Sequence, residues 1–452
     1  MASLKRFGRL LWVLSLSVGV VHCQDSSDTS TSTTSRSTSS KTSTTSTTKD
    51  VTVLTGTRTE ATSKPTATPT YQTFSSTITL PTLSGSISTN INNTGSSTVT
   101  FISGSTTIGG NFSTSATLGV PIPTNTRPCN NYVEFCDRKY SNLTVVGCHN
   151  SPFVRAGSAA ANQQFPVVDQ LNDGVRFLQA QIQWPVNGTV PHFCHTSCDL
   201  LDAGPITEWL TTVKDWVASH PYDVITILLG NGNYSTPDFY VPYIESSGLL
   251  QYIYRPPVVP MSIEAWPTLA SMILSGQRVV MFLDYMANQT AYPWLMDEFS
   301  QMWETPFDPL NQSFPCTVQR PPDLKDEDAK NRLYLMNHNL NVEVSILGTS
   351  ILVPAVSQLN QTNNATGFGS LGSAAANCRT DWGRPPNVLN VDYYNYGGYP
   401  GSVFEAAAKM NNVTYDRPCC GVAVSGSTRK EAVGPLLGMA MPLVWGLVWM
   451  LI

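Results

Sequence analysis

The sequence is poor in charge, and neither sign dominates. Charged residues make up 13% of its 452 residues, and 26 lysines and arginines against 31 aspartates and glutamates give a net charge of −5. Proteins that bind nucleic acid neutralise phosphates with clustered lysines and arginines. The slightly acidic balance offers no basic patch of that kind and argues against a nucleic-acid partner.

The sequence also lacks the paired cysteine spacings of a zinc site. Cys194 and Cys198 have no companion ligand pair of suitable spacing. Of the ten cysteines, Cys23 falls in the predicted signal peptide, and the remaining nine leave at least one thiol unpaired. In an oxidising compartment cysteines favour disulfides over metal sites. Candidate pairings, which spacing alone does not fix, are Cys129–Cys136, Cys194–Cys198 and Cys316–Cys378.

The N-terminal quarter of the chain has the composition of a targeting signal followed by a stalk. Lys5, Arg6 and Arg9 precede an apolar run over residues 10–21, which is too short to span a bilayer and predicts a signal peptide over residues 1–23. Residues 24–127 are mostly serine and threonine, with few large apolar side chains. Such a composition cannot bury enough surface to offset the entropy of ordering, which predicts a disordered, Ser/Thr-rich, O-glycosylated stalk.

The C-terminal end carries the order of features of a glycosylphosphatidylinositol (GPI) attachment signal. Small residues at 425–427 and a polar stretch at 428–431 precede residues 435–452, which contain no charge. We predict an attachment region and spacer at 421–434 and a hydrophobic tail at 435–452 that is removed and replaced by lipid. The alternative is a single C-terminal transmembrane helix. The expected location is the outer face of the plasma membrane or the cell wall.

N-glycosylation sequons occur along the whole chain, which agrees with passage through the secretory pathway. They start at Asn92, Asn111, Asn142, Asn187, Asn233, Asn288, Asn311, Asn360, Asn364 and Asn412.

Residues 128–420 alternate between strand-like and helix-like patterns. Two helical patterns stand out, at 206–217, where Pro221 follows, and at 402–410. Alternation of this length predicts an α/β fold, a (β/α) barrel whose active site lies at the C-terminal ends of the strands. The stretch 285–332 reads as irregular. The strand-like runs are 143–147, 176–182, 190–194, 224–229, 279–283, 333–336 and 388–391.

Two histidines and one aspartate follow these predicted strands. His149, His195 and Asp392 each come directly after, or one residue beyond, an apolar run. An imidazole pKa of about 6.5 suits both the base and the acid of phosphodiester cleavage, and a neighbouring carboxylate fixes the tautomer of the base. We predict His149 as base, His195 as acid and Asp392 as the orienting carboxylate; His192 is interpreted as a wall or core residue, and His338 is a weaker site candidate.

Several motifs, in order, resemble the X-domain of phosphatidylinositol-specific phospholipases C. The matching residues are 146–151, 174–178, 194–197, 209–225 and 390–395. The resemblance spans Cys129 to about Cys420 and is closest to the secreted, GPI-anchored PLC-like phosphodiesterases of fungi. It implies a distorted TIM barrel, the PLC-like phosphodiesterase fold. It also implies that His149 deprotonates the inositol 2-hydroxyl, which attacks phosphorus and forms a cyclic phosphate. His195 then protonates the leaving diacylglycerol oxygen, and Asp392 supports His149.

The sequence departs from this family on the second predicted strand. Metal-free members have an arginine there and calcium-dependent members have acidic ligands, whereas this chain has Gln179 and Gln181. Without those carboxylates a hard cation loses its ligands, so we predict no metal and no other cofactor. Arg155 and Arg176 are candidates for the missing positive charge.

The sequence therefore predicts a metal-independent phosphoric diester hydrolase acting on a phosphoinositide, a GPI-type lipid or a related phosphodiester. The alternative is a catalytically silent barrel that serves the cell surface or wall as a binding or structural glycoprotein. The candidate substrate-binding residues are Asn150, Gln181, Asp284 and Tyr393.

Overall fold

The computed structural model describes residues 71, 72, 74, 77–80, 126–346 and 349–421. The predicted signal peptide, most of the predicted stalk and the hydrophobic tail lie outside these residues. Within the described part of the chain, none of the helices has the length and apolar character needed to cross a bilayer.

The described residues form short strands and helices that alternate over most of the chain. The strands are β1 (Ile78–Thr79), β2 (Val145–Cys148), β3 (Phe177–Gln183), β4 (His192–His195), β5 (Leu201–Pro205), β6 (Ile225–Asn231), β7 (Val258–Val259), β8 (Val279–Leu283), β9 (Leu295–Asp297), β10 (Met302–Glu304), β11 (Leu333–Asn337), β12 (Asn341–Ile346), β13 (Thr349–Pro354) and β14 (Val388–Val391). The helices are α1 (Val167–Asp173), α2 (Ile206–Ser219), α3 (Val241–Ser246), α4 (Leu269–Leu274), α5 (Glu298–Gln301), α6 (Asp326–Lys330), α7 (Leu359–Thr362), α8 (Leu371–Trp382) and α9 (Ser402–Met410).

Eight parallel strands curl into a distorted TIM (β/α) barrel, as the sequence predicts. Their order along the sheet is β10-β11-β14-β2-β3-β6-β8-β9. Strands β9 and β10 are the two ends of this order, and α5 joins them directly. Because all eight strands are parallel, the residues that follow them lie at one mouth of the barrel.

Side chains of the barrel strands alternate between two apolar cores, one on each face of the sheet. Leu178, Ala180 and Ile182 of β3 pack with the apolar side of α2 in the core between sheet and helices. Phe177 belongs to a second apolar cluster on the inner face of the sheet. Gln179 and Gln181 follow Phe177 on the same, inward-facing side of β3, so the barrel interior becomes polar towards the mouth.

The predicted helices at 206–217 and 402–410 are confirmed. In α2 the buried residues Ile206, Leu210, Val213 and Val217 follow helical spacing, which places one apolar stripe against the sheet. The helix ends before Pro221, which cannot continue it.

Strand β4 corrects the sequence interpretation of residues 190–194. It pairs antiparallel with both β3 and β5 instead of joining the parallel barrel. The chain therefore rises along β3, turns, and descends along β4, with Ile182 opposite Phe193. This reversal returns His195 towards the barrel interior.

Other elements escaped the sequence analysis. The stretch 285–332, which reads as irregular from sequence, contains β9, α5, β10 and α6. Periodicity does not reveal β9 and β10, because strands of three residues are too short to show it. Within the predicted stalk, β1 pairs antiparallel with β7 through Ile78 and Val259. Tyr71 also packs against Phe299, with ring centroids 4.9 Å apart. Part of the predicted stalk is thus ordered against the barrel.

The three candidate disulfides are confirmed. Cys129–Cys136, Cys194–Cys198 and Cys316–Cys378 are all bonded, and a fourth disulfide joins the neighbours Cys419 and Cys420. Among the described cysteines, only the buried Cys148 is free. The Cys194–Cys198 bridge closes a short turn that contains His195.

Candidate active site

His149 and Asp392 lie side by side because their strands are neighbours. Strands β2 and β14 pair in parallel with Cys148 opposite Val391, so the next residue of each strand occupies the same level at the mouth. His149 Nδ1 lies 2.8 Å from Asp392 Oδ1, and the two side chains are only 6% and 2% exposed. Because the carboxylate can only accept, Nδ1 carries the proton and Nε2 is the basic nitrogen.

Two amides that the sequence analysis did not identify hold this pair. Asn162 Nδ2 donates to Asp392 Oδ1 at 2.9 Å and lies 3.3 Å from His149 Nδ1. Gln163 Nε2 donates to the main-chain carbonyls of His149 and Val391. Both residues belong to the loop between β2 and α1, which carries no recognisable motif. These contacts fix the orientation of the imidazole and the carboxylate.

His195 lies close to this pair and is itself buried. Its ring stacks on Phe153 with centroids 5.1 Å apart, and it is 8% exposed. Burial, and after it the nearby His149, lower the pKa of His195 to about 4, although Asp392 and the hydrogen bond to the Ala160 backbone act in the opposite direction. In the free protein at neutral pH the ring is therefore neutral. The negative charge of a bound phosphate favours its protonated form.

The burial of His195 predicts the pH at which its ring titrates. In the free protein we expect the Hε1 resonance of His195 to titrate near pH 4, well below the ordinary histidine value of about 6.5. Because the unfolded chain takes up this proton first, folding stability contributed by His195 decreases as pH falls from about 6.5 towards 4. Histidine-selective NMR during a pH titration provides the test, with His195→Gln used to assign the resonance. A midpoint near 6.5 would contradict the closed environment.

Amide side chains occupy the inner surface next to the histidines. Asn150 is 1% exposed and adopts a left-handed backbone with φ of 49°. Neither its Nδ2 nor its Oδ1 has a hydrogen-bond partner. Gln179 Oε1 accepts from Asn390 Nδ2 at 2.8 Å, and the half-buried Gln181 lies on the same face of β3. An unpaired buried amide costs free energy, so Asn150 is suited to face a ligand.

The amides do not fit the calcium site of the calcium-dependent relatives. Gln179 and Gln181 bring no carboxylate, and the oxygen of Gln179 is already engaged by Asn390. Calcium prefers several oxygen ligands that include carboxylates. Among the described residues, the one cluster of three side chains with metal-ligating atoms is Asp173, Cys419 and Cys420, and its two sulfurs form a disulfide.

A second group of charged residues surrounds Asp284 on the opposite side of the mouth. Asp284 follows β8 and accepts from the main-chain N–H of Asn231 at 2.7 Å; burial raises its pKa to about 7. Arg320 donates to Glu304 Oε2 from Nε at 2.9 Å. Both carboxylate oxygens of the buried Glu298 are unpartnered, and burial raises the pKa of Glu298 well above its usual value.

Arg320 places a cation near this mouth, and no motif in the sequence points to it. Its guanidinium lies 3.7 Å from the centroid of the Phe307 ring, whose edge contacts His149 at a centroid distance of 6.5 Å. The two arginines named from sequence lie elsewhere. Arg176 pairs with Asp223 at 2.8 Å at the start of β3, the opposite end of the barrel. Arg155 is exposed and donates to the Asp202 carbonyl at 3.0 Å.

Tyr393 braces the loop that holds the catalytic candidates. Its hydroxyl donates to the Ala161 carbonyl at 2.8 Å. His192, interpreted from sequence as a wall or core residue, is half-buried and pairs with Asp202 at 2.9 Å. His338 is fully buried, and burial lowers its pKa to about 3; its Nε2 contacts the Thr362 carbonyl, which marks it as a structural residue.

Comparisons with known proteins agree with this architecture. The family model described as PI-PLC X 1 matches residues 135–411. An "Uncharacterized secreted protein" of Arthroderma benhamiae is 50% identical over 341 residues, which cover 75% of this chain and 76% of that protein. A "PI-PLC X domain-containing protein 1" of the same organism is 38% identical over 287 residues, covering 63% of this chain and 90% of that protein.

Solved structures of bacterial phospholipases are similar at a more distant level. Phosphatidylinositol-specific phospholipase C from Listeria monocytogenes has a TM-score of 0.39 and 12% identity, covering 61% of this chain and 95% of that chain. A mutant of the Staphylococcus aureus enzyme has a TM-score of 0.40 and 14% identity, covering 60% and 94%. The family match over residues 135–411, which is most of the barrel, establishes that the chain belongs to the PI-PLC X-domain family.

Proposed function

We propose that this protein is a phosphodiesterase in which His149 is the general base and His195 the general acid. The observation that supports this proposal most directly is the buried hydrogen bond between His149 Nδ1 and Asp392 Oδ1, at 2.8 Å. It leaves Nε2 of His149 as an oriented base. The imidazole of His195 lies nearby, is neutral in the free protein, and takes up a proton when an anionic substrate binds.

The proposed reaction moves two protons. A substrate hydroxyl gives its proton to His149 Nε2, and its oxygen forms a bond to phosphorus. The bond from phosphorus to the leaving oxygen breaks, and that oxygen takes a proton from His195. A cyclic phosphate and an alcohol are released, His149 ends protonated and His195 neutral, and exchange with water restores both histidines.

In this proposal, neutral hydrogen-bond donors and one arginine stabilise the negative charge of the phosphate. The amides of Asn150, Gln179 and Gln181 supply N–H groups on the side of the histidines. Arg320 supplies the positive charge from beyond Phe307. Preorganised donors of this kind stabilise the transition state without a metal ion.

The proposed substrate class is a phosphoinositide, a GPI-type lipid or a related phosphodiester outside the cell. Support comes from the PI-PLC X-domain family, from the relative described as secreted and from four disulfides. The C-terminal tail is proposed to direct attachment of a GPI anchor that holds the protein at the membrane.

The test is product analysis on the secreted protein. Phosphatidylinositol and a water-soluble aryl phosphodiester of inositol are incubated with it, with and without EDTA, and followed by phosphorus NMR. We expect a cyclic inositol phosphate to form equally with and without chelator. Loss of turnover in EDTA would reject the metal-independent mechanism. No turnover from folded protein would leave the alternative, a silent barrel that binds such headgroups.

A further inference from the structure

Exposed N-glycosylation sequons surround the mouth of the barrel. They lie in the segments that follow five barrel strands: Asn187 after β3, Asn233 after β6, Asn288 after β8, Asn311 after β10, and Asn360 in helix α7, which follows β11 by way of the hairpin β12–β13. All five asparagines are exposed. Because the strands are parallel, these segments share the end of the barrel at which His149 and Asp392 lie. The mouth is therefore ringed by acceptor sites.

The same segments expose large apolar side chains beside the sequons. Val186 is 72% exposed next to Asn187, and Leu310 is 57% exposed next to Asn311. Three more follow this arrangement, namely Met286 before Asn288, Phe239 after Asn233 and Val356 before Asn360. A rim of exposed apolar residues ordinarily marks a surface that a partner or a lipid covers.

We propose that N-glycans on these five asparagines cover the apolar rim and form a collar that keeps the mouth away from a bilayer. N-glycans are bulky and strongly hydrated, and their hydroxyl groups cannot enter an apolar phase without losing hydrogen bonds. Within the proposed substrate class, the glycosylated protein then acts on a phosphodiester that stands in water in preference to a headgroup that lies in the plane of a membrane. This inference rests on the proposed secretion and phosphodiesterase activity.

The collar is open on one side. The loops after β2 and β14, residues 149–166 and 392–401, contain no sequon. These neighbouring strands carry His149 and Asp392, so the gap lies over the reactive pair. Tyr396 and Tyr399 are exposed there, at 37% and 45%. A soluble phosphodiester can approach from this side without displacing glycan.

The chain provides internal controls for the collar. Asn364 also begins a sequon but is only half-exposed, and its Oδ1 accepts from the Ala365 N–H at 2.7 Å. A Cβ built on Gly398 would lie 2.9 Å from the Asn364 amide, so this side chain is packed against the loop after β14. We expect Asn364 to remain unmodified. Asn142 and Asn412 are exposed near the opposite end of the barrel, where glycans leave the rim untouched.

The first experiment maps glycan occupancy on protein secreted by a fungal host. The chain is ended at residue 434, so that no anchor is attached and every described residue is kept. Glycopeptide mass spectrometry is expected to find Asn187, Asn233, Asn288, Asn311 and Asn360 occupied and Asn364 bare. Bare asparagines at the rim would overturn the proposal.

The second experiment measures binding to vesicles of phosphatidylcholine and phosphatidylinositol by co-sedimentation. The native glycoprotein is compared with a variant in which the five rim asparagines are changed to glutamine, and with the Asn142→Gln, Asn412→Gln double variant as matched control. Native protein deglycosylated after folding serves where the five-site variant does not fold. Loss of the rim glycans is expected to raise vesicle binding by at least about tenfold, as when one large apolar side chain becomes free to enter the bilayer.

Equal vesicle binding by native and rim-deglycosylated protein would overturn the collar, as would a tenfold rise in the Asn142, Asn412 control. Neither measurement requires turnover. A collar on a protein without activity would reject the proposed function alone, whereas activity with bare rim asparagines would reject the collar alone.

Discussion

Replacing His149 with alanine is expected to lower the rate of phosphodiester cleavage by about 10²–10⁴-fold, the usual contribution of a general base. The same loss is expected for His195→Ala, because each histidine transfers one of the two protons in the proposed reaction. The two losses should not add in the double variant, since the residues act as one unit. Initial rates on the water-soluble phosphodiester provide the measurement.

His192→Ala is the matched control for this prediction. His192 lies on the same short strand as His195, yet its half-buried ring pairs with Asp202. Its removal is expected to leave the rate within a factor of about two, because it transfers neither proton of the proposed reaction. Comparable losses in all three variants would point to a general folding defect. Full activity in either His149→Ala or His195→Ala would remove that residue from the mechanism.

Replacing Arg320 with alanine is expected to lower the free energy of unfolding by about 3–5 kcal/mol, the usual cost of breaking a buried ion pair. Glu304 is fully buried, and Arg320 is its charged partner. Without Arg320 the Glu304 charge is left beside Glu298, whose carboxylate oxygens have no partner. Urea unfolding at pH 7 measures the loss.

A second substitution identifies the origin of the Arg320 effect. Glu304→Gln removes the charge with which Arg320 pairs, so Arg320→Ala is expected to cost less in that background than in the wild type. Arg155→Ala is the control, since Arg155 is exposed, and a change within about 0.5 kcal/mol is expected. An equal cost of Arg320→Ala in both backgrounds would show that the guanidinium does not neutralise the buried carboxylate of Glu304.

The sequence was sufficient to find the residues that sit at the ends of strands. His149 and Asp392 follow neighbouring parallel strands, and parallel strands deliver such residues to one mouth. The structure also brings His195 near this pair, but by a route different from the one that the sequence predicts. It reaches the site along the antiparallel strand β4, whose direction no periodicity in residues 190–194 could reveal.

Residues that act from loops were not predictable in the same way. Asn162 and Gln163 reach the His149–Asp392 pair because the β2–α1 loop folds back over it, and a loop path leaves no periodic pattern. Arg320 comes from the irregular stretch after β10 and pairs with Glu304 across 16 positions of sequence. The sequence offers Arg155 and Arg176 as candidates for the missing charge. In the structure Arg155 donates to the Asp202 carbonyl, and Arg176 pairs with Asp223.

The turn closed by Cys194 and Cys198 makes the position of the proposed acid depend on disulfide formation. His195 lies inside this disulfide-closed ring of the main chain, so its final position depends on an oxidation that reducing compartments disfavour. A reduced copy of the chain lacks the constraint that positions the proposed acid. In the proposed mechanism, formation of this disulfide therefore precedes activity.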